Sequence, residues 1–179
     1  MSHPQGRRTT RAFTLVEILM VVVIISIAAA VVVPHMLEIG SMGVQAASRM
    51  VIADVLFAQN DAIAHQSVRR IVFDPATNSY RMTDGSGQTL SMTWQGGNQA
   101  EGNYVIDFDE DTRFANVNMV SAQFTDAQGL DTTTLEFDPL GSPTGSTGGT
   151  VTLSADEHTY RITVAPITGK VTIAEVTGG

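Results

Sequence analysis

The chain has 179 residues, no cysteine and a formal net charge of −8. This length suits one modest domain beside a short terminal segment, and no disulfide framework can hold it. Because nucleic-acid affinity depends on Lys and Arg neutralising phosphates, 18 acidic residues against 10 basic ones argue against a nucleic-acid partner.

An apolar run near the N-terminus predicts a membrane-spanning helix. Three arginines precede residues 13–33, and residues 18–33 carry no charge. At about 1.5 Å of rise per residue, a helix over residues 13–33 covers roughly 30 Å, the thickness of a bilayer core. The next basic residue is Arg49, so the positive-inside rule predicts a single pass with a cytoplasmic N-terminus and an extracytoplasmic C-terminal head.

Two simpler targeting segments are alternatives to this interpretation. A secretory signal peptide would need a small-x-small cleavage pattern after the apolar run. Residues 34–36 offer none, although Ala28, Ala29 and Ala30 provide one within the run. A plain uncleaved signal anchor explains the apolar run but gives no reason for Glu17.

Glu17 is the most informative residue of this segment. A charge at the centre of a bilayer costs about 2.5–3.5 kcal/mol, and less near the interface, so such a residue is usually kept for a partner. Glu17 ends a six-residue motif that follows the arginines: Ala12, Phe13, Thr14, Leu15, Val16, Glu17. Pro34 lies at the end of the apolar run. This arrangement resembles the signal of type IV pilins and type II secretion pseudopilins.

The resemblance implies processing and assembly. A prepilin peptidase would cut before Phe13 and methylate the new N-terminus, so that residues 1–12 form a leader and the mature chain carries a charge of −11. Glu17 would pair with the free amine of a neighbouring subunit during helix stacking, with Phe13, Leu15, Val16 and Pro34 in the same assembly segment. Ala12 departs from the family, which usually has Gly before the cut.

Residues 34–67 are predicted to form an amphipathic helix that continues into the head. Pro34 predicts a kink in a continuous helix, the alternative being a simple end of the membrane span. Apolar residues recur with helical spacing, and the opposite face is predicted to be polar at Gln45, Arg49, Asp54 and Asp61. The apolar residues are Leu37, Val44, Ala47, Val51, Val55, Ala58 and Ala62.

The rest of the chain, residues 68–179, predicts an antiparallel β-rich head, since β-branched runs alternate with turn signals. The fold class is therefore α+β, and the resemblance implies a pilin-like arrangement in which the long N-terminal helix packs on the antiparallel sheet of the head. Residues 58–63, 135–141 and 160–164 resemble the H-type minor pseudopilins and related fimbrial-biogenesis minor pilins. The predicted strands are 68–73, 79–83, 88–94, 103–108, 117–124, 132–137, 150–154, 159–164 and 170–176.

Other clusters carry weaker signals. Four mid-chain carboxylates could bind Ca²⁺: Asp107, Asp109, Glu110 and Asp111. A solvated acidic turn is the favoured interpretation, so no metal site is predicted, and no cofactor is predicted either. The four histidines lack zinc spacing, and no serine lies in a nucleophile elbow, so no catalytic site is predicted. The Gly-, Ser- and Thr-rich residues 141–150 form either a mobile contact loop or a passive connector.

The resemblance implies a minor pseudopilin of a type II secretion system in the inner membrane. Its expected partners are the prepilin peptidase, other major and minor pseudopilins and the inner-membrane assembly platform. A minor pilin of a type IV pilus, serving assembly, adhesion or DNA uptake, is the alternative among proteins with the same type of N-terminal helix. The alternative from a different class of protein is a membrane-tethered binding protein or enzyme whose N-terminus matches the motif by chance.

Overall fold

The structure is a computed structural model that describes residues 14–91, 102–114, 116–144 and 148–176, without the side chains of residues 31–41. It divides into two compact units, Met1–Leu37 and Glu38–Gly179. The first contains the N-terminal part of a long helix. The second is the head, in which the rest of that helix packs with antiparallel strands.

Helix α1 comprises Leu15–His65, and its helical backbone continues across Pro34. It begins after Thr14, whose carbonyl accepts hydrogen bonds from the amides of Glu17 (3.1 Å) and Ile18 (3.2 Å). It ends at His65, and the next residue, Gln66, has a φ of 49°, a left-handed conformation typical of a helix C-terminus. Of the predicted apolar stripe, the side chain of Leu37 lies outside the described residues. The prediction is confirmed for the other six members, which are buried in the head: Val44, Ala47, Val51, Val55, Ala58 and Ala62.

The strands of the head form two antiparallel sheets. The first contains β1 (Arg69–Asp74), β2 (Ser79–Asp84), β3 (Val105–Asp107) and β6 (Thr134–Phe137), in the order β3-β2-β1-β6. The second contains β4 (Asn118–Thr125), β5 (Asp131–Thr132), β7 (Gly149–Ala155), β8 (His158–Val164) and β9 (Val171–Glu175), in the order β5-β4-β7-β8-β9. The α+β class predicted from the sequence is confirmed.

Two predicted strands differ from the observed ones. Residues 132–137 were expected to form one strand but contribute to both sheets, since β5 pairs with β4 and β6 pairs with β1. The chain crosses between the sheets at Thr133, whose carbonyl accepts the amide hydrogen of Phe73 (3.1 Å). In the described part of residues 88–94 the pairing is limited to isolated bridges at Thr89 and Ser91, and residues 92–94 lie outside the described residues.

Aromatic side chains join the two sheets to each other and fill the core. The ring of Phe73 on β1 stacks on that of Phe124 on β4, with the centroids 5.6 Å apart. Tyr80 on β2 lies against Phe73 and against Phe108, at centroid distances of 5.6 and 5.8 Å. Burial of aromatic and aliphatic side chains is the main favourable contribution to folding in a chain without disulfides.

Candidate assembly segment and its support in the head

The first turns of α1 present an apolar surface to solvent. Every described side chain from Thr14 to Ala30 is exposed, with Leu15 at 82% and Val16 at 72% of their full accessible area. The hydroxyl of Ser26 donates to the carbonyl of Val22 (2.7 Å), so this polar group is satisfied within the helix. Large apolar patches on isolated chains typically mark association or membrane surfaces.

Glu17 lies in the first turn of this surface and belongs to an N-terminal capping arrangement. The backbone amide of Glu17 donates to Oγ1 of Thr14 (3.2 Å). Thr followed three residues later by Glu is the capping-box pattern, and a carboxylate near a helix N-terminus is favoured by the helix dipole. The sequence interpretation above missed the capping by Thr14, although the spacing of Thr14 and Glu17 signals it.

The structure describes only some of the other residues predicted for the assembly segment. Ala12 and Phe13 lie outside the described residues, as does the side chain of Pro34. Leu15, Val16 and Glu17 share one exposed helical turn. Among the residues that the structure describes, no helix is both long enough and apolar enough to cross a membrane.

In the head, Asp54 anchors α1 to the strands. Its two carboxylate oxygens accept hydrogen bonds from the hydroxyls of Tyr80 and Tyr104, both at 2.5 Å. The prediction that Asp54 lies on a polar outer face is wrong, because this side chain is only 4% exposed. The two tyrosines reach across the core and supply the partners that a buried carboxylate needs.

Burial dominates the electrostatics of this cluster. It raises the pKa of Asp54 above its ordinary value, against the opposing effect of the hydrogen bonds from Tyr104 and Tyr80. Burial and the neighbouring Asp54 carboxylate raise the pKa of both tyrosines. Since the tyrosines stay protonated, they serve as donors, and the cluster fixes the position of α1 on the first sheet.

At the C-terminal end of α1, Gln59 connects the helix to two turns. Its side-chain amide donates to the carbonyls of Gly141 (2.8 Å) and Thr168 (3.1 Å). Gly141 is buried, and the amide of Thr144 donates to the carbonyl of Glu136 on β6 (3.0 Å). The described flanks of the stretch 141–150 are therefore tied to the head, while residues 145–147 lie outside the described residues.

The four mid-chain carboxylates have partners within the protein. Asp107 accepts the amide hydrogens of Asp109 (2.8 Å) and Glu110 (3.3 Å). Asp111 pairs with Arg113 (2.5 Å), and the hydrogen bond from this guanidinium lowers the pKa of Asp111. Across the described ranges, no group of three or more His, Cys, Asp or Glu side chains is arranged to hold a metal ion. The geometry is that of a hydrogen-bonded acidic turn.

Comparison with known proteins identifies a family for this combination of helix and head. The family described as "Type II transport protein GspH" matches residues 47–169, and the "Prokaryotic N-terminal methylation motif" matches residues 7–33. The family match covers more than half of the chain. The protein therefore belongs to the GspH family. No curated protein sequence matches the chain.

Solved structures share the fold at low sequence identity. The minor pseudopilin EpsH of the Vibrio cholerae Type 2 Secretion System aligns at 10% identity and a TM-score of 0.50, over 73% of this chain and 95% of that one. The type IV minor pilin FimU of Pseudomonas aeruginosa PAO1 aligns at 14% identity and a TM-score of 0.48, over 73% and 87% of the two chains. At such identities the likeness to EpsH is a likeness of fold.

Family membership has general consequences for this chain. The family and the fold are those of structural pilin-class proteins. Together with the methylation motif, they indicate processing by a prepilin peptidase, association with other pseudopilins and anchoring in the inner membrane.

Proposed function

We propose that this protein is a minor pseudopilin that enters a type II secretion pseudopilus through the N-terminal part of α1. The observation that supports the proposal best is the exposed apolar surface from Leu15 to Ile27, with one carboxylate, Glu17, in its first turn. A surface of this kind is completed by other helices or by lipid. The head, whose apolar stripe is already buried, needs no such partner.

Processing comes first in the proposed sequence of events. The prepilin peptidase cuts between Ala12 and Phe13 and methylates the amine of Phe13. In the precursor the leader arginines lie on the cytoplasmic side and the acidic head lies outside, and until assembly the apolar residues 13–33 hold the chain in the inner membrane. The assembly platform of the inner membrane then draws the subunit into the filament.

Charge pairing sets the register of the stacked helices in this proposal. The amine of one Phe13 and the Glu17 carboxylate of a neighbouring subunit are each costly to bury alone. Together they satisfy each other, and removal of one partner leaves an unpaired buried charge that costs about 3–5 kcal/mol. Leu15, Val16 and Pro34 belong to the same packed segment.

Substitutions at Glu17 and Thr14 separate the proposed charge pairing from the helix cap that Thr14 provides. We expect Glu17→Val to insert in the membrane normally but to enter filaments at least about tenfold less, since 1.4 kcal/mol already changes an equilibrium tenfold. Glu17→Gln keeps a side chain able to cap the helix but removes the charge, so it should be impaired as well. Thr14→Ala removes the cap alone and should retain most of the incorporation.

The measurement is the amount of each variant in sheared filaments relative to the membrane fraction, in a host that supplies the other pseudopilins. Equal defects in Thr14→Ala and Glu17→Val would attribute the loss to the start of the helix in general rather than to the charge of Glu17. Normal incorporation and secretion with Glu17→Val would remove Glu17 from the assembly mechanism altogether.

A further inference from the structure

The edges of the two sheets are finished in different ways. Within the described ranges, β3 has only three residues and β5 only two. The edge of β6 is covered, because Phe137 bridges to Pro143 and Glu136 accepts the amide hydrogen of Thr144. Short or covered edges are common protections against unwanted strand pairing.

Strand β9 is neither short nor covered by any other part of the chain that the structure describes. It forms the outer edge of the five-stranded sheet over five residues, and residues 172–175 are exposed. The amide of Val176 donates to the carbonyl of Thr159 (2.7 Å), and the carbonyl of Lys170 accepts from Ala165 (2.8 Å). Bonded residues alternate in an antiparallel ladder, so the backbone groups of three residues point away from β8: Val171, Ile173 and Glu175.

The side chains along β9 continue the inner face of the sheet. Ile173 lies opposite Ile162, which lies opposite Val151 on β7. Ile162 and Val151 are almost completely buried, whereas Ile173 remains 44% exposed. A further strand beside β9 would cover Ile173 with an apolar side chain and extend the core by one row.

A symmetric pair with a second copy of this chain does not fit the edge. Gln45 near the start of the head contacts Tyr160 on β8, and Gln59 near the end of α1 contacts Thr168 beyond β8. The head portion of α1 thus runs in the same direction as β8. A symmetric antiparallel pair of β9 strands would place the two α1 helices in opposite directions, so their starts would lie at opposite ends of the pair. Subunits entering one membrane cannot adopt this arrangement.

The charges along the edge indicate what the added strand contains. Glu175 lies at one end, where it contacts His158 (3.1 Å), and the β7–β8 turn at this end carries Asp156 and Glu157. The exposed Lys170 lies at the other end. A complementary strand has a basic residue beside Glu175 and an apolar residue opposite Ile173.

We propose that β9 is a strand-addition site for an extended segment of a neighbouring pseudopilin head, in which main-chain hydrogen bonds give affinity and Ile173 gives register. The proposal rests on the pseudopilus role above. It adds a lateral contact between heads to the packing of the N-terminal helices.

Amide-resolved hydrogen exchange tests the site directly. The isotope-labelled full chain in detergent micelles is mixed with the purified pseudopilins of the same secretion system. Strand addition predicts slower exchange, by about tenfold or more, at the outward amides of Val171, Ile173 and Glu175. The amides of Thr172 and Ala174 already bond to β8 and should change much less.

A matched pair of variants tests the same geometry. Ile173→Lys places a charge on the inner face of the edge and should abolish the added protection. Thr172→Lys puts the same charge on the outer face of β9 and should leave the protection intact. Association of the wild-type chain without protection at Val171 and Ile173, or no effect of Ile173→Lys, would overturn the proposal.

Two further outcomes count against the proposal. Protection that grows with the concentration of the chain alone would identify a second copy as the occupant, and absence of any association would exclude pseudopilin heads. Failure of the edge site is distinguishable from failure of the pseudopilus role. Methylated Phe13 and the Glu17→Val defect report on that role independently of β9.

Discussion

The two ends of α1 differ in whether their apolar side chains are covered by the rest of the chain. From Leu15 to Ile27 its apolar side chains are exposed, whereas from Val44 to Ala62 the apolar stripe is buried against the head. The polar groups differ as well. Glu17 is exposed in the first turn, while Asp54 is buried and satisfied by two tyrosines. The apolar stripe at the head end is covered within the chain, and we propose that neighbouring subunits and lipid cover the apolar surface at the other end.

The largest expected effect comes from removing the buried anchor of the head. Asp54→Ala leaves the hydroxyls of Tyr80 and Tyr104 without their acceptor in the core, and we expect the free energy of unfolding to fall by about 2–4 kcal/mol. Urea denaturation of the full chain in detergent, followed by near-ultraviolet circular dichroism, measures the change. Asp131→Ala, at an exposed position, is the control and should have almost no effect. An equally stable Asp54→Ala chain would show that the cluster does not anchor α1.

A pair of valines compares the two ends of the helix with the same chemical change. Val55 is 1% exposed and Val22 is 57% exposed. We expect Val55→Ala to destabilise the head by about 2 kcal/mol through lost burial and a residual cavity. Val22→Ala should leave the stability of the head unchanged. Equal losses of stability in the two variants, measured by the same denaturation, would contradict the conclusion that only the head end of α1 packs in the core.

The end of the helix provides a smaller test. Gln59→Glu replaces a donor by a carboxylate that faces the carbonyls of Gly141 and Thr168, and we expect a loss of about 1–2 kcal/mol. Asn60→Asp makes the same amide-to-acid change at the adjacent exposed position and serves as its control. If Asn60→Asp costs as much, the added negative charge rather than the lost bridge accounts for the effect.

The pH dependence of stability isolates the charge of Asp54. Because burial raises its folded pKa, the native chain binds this proton more readily than the unfolded chain does. The contribution of Asp54 to stability is therefore largest at low pH and declines as pH rises from its ordinary pKa of 3.8 through the folded value. The stability of the wild type minus that of Asp54→Asn should fall over this interval. A difference that rises with pH would show that the folded pKa is lowered instead.

The sequence was sufficient for the features that depend on local pattern. The six buried residues of the α1 stripe followed from their helical spacing, and the α+β class followed from the change to strand-like runs. Strands 159–164 and 170–176 were also predicted, and Ala165 and Lys170 close the turn between them by a 2.8 Å hydrogen bond. Each of these depends on residues close to one another in the chain.

Features that depend on distant residues were not predictable in the same way. Asp54 looked like a surface residue because its partners, Tyr80 and Tyr104, come 26 and 50 residues later. The division of residues 132–137 between two sheets depends on which strands lie beside them, and local β propensity carries no such information. The capping of α1 by Thr14 was readable from the sequence but was obscured by the stronger apolar pattern.

The chemical state of the N-terminus tests the central claim most directly. Intact-mass and N-terminal peptide analysis of the protein purified from membranes should find a chain that begins with N-methylated Phe13 and lacks residues 1–12. Such a chain carries the amine that Glu17 is proposed to pair with. A chain that retains Met1, or one cut near Ala30, would contradict the assignment of the N-terminal part of α1 as a processed assembly segment.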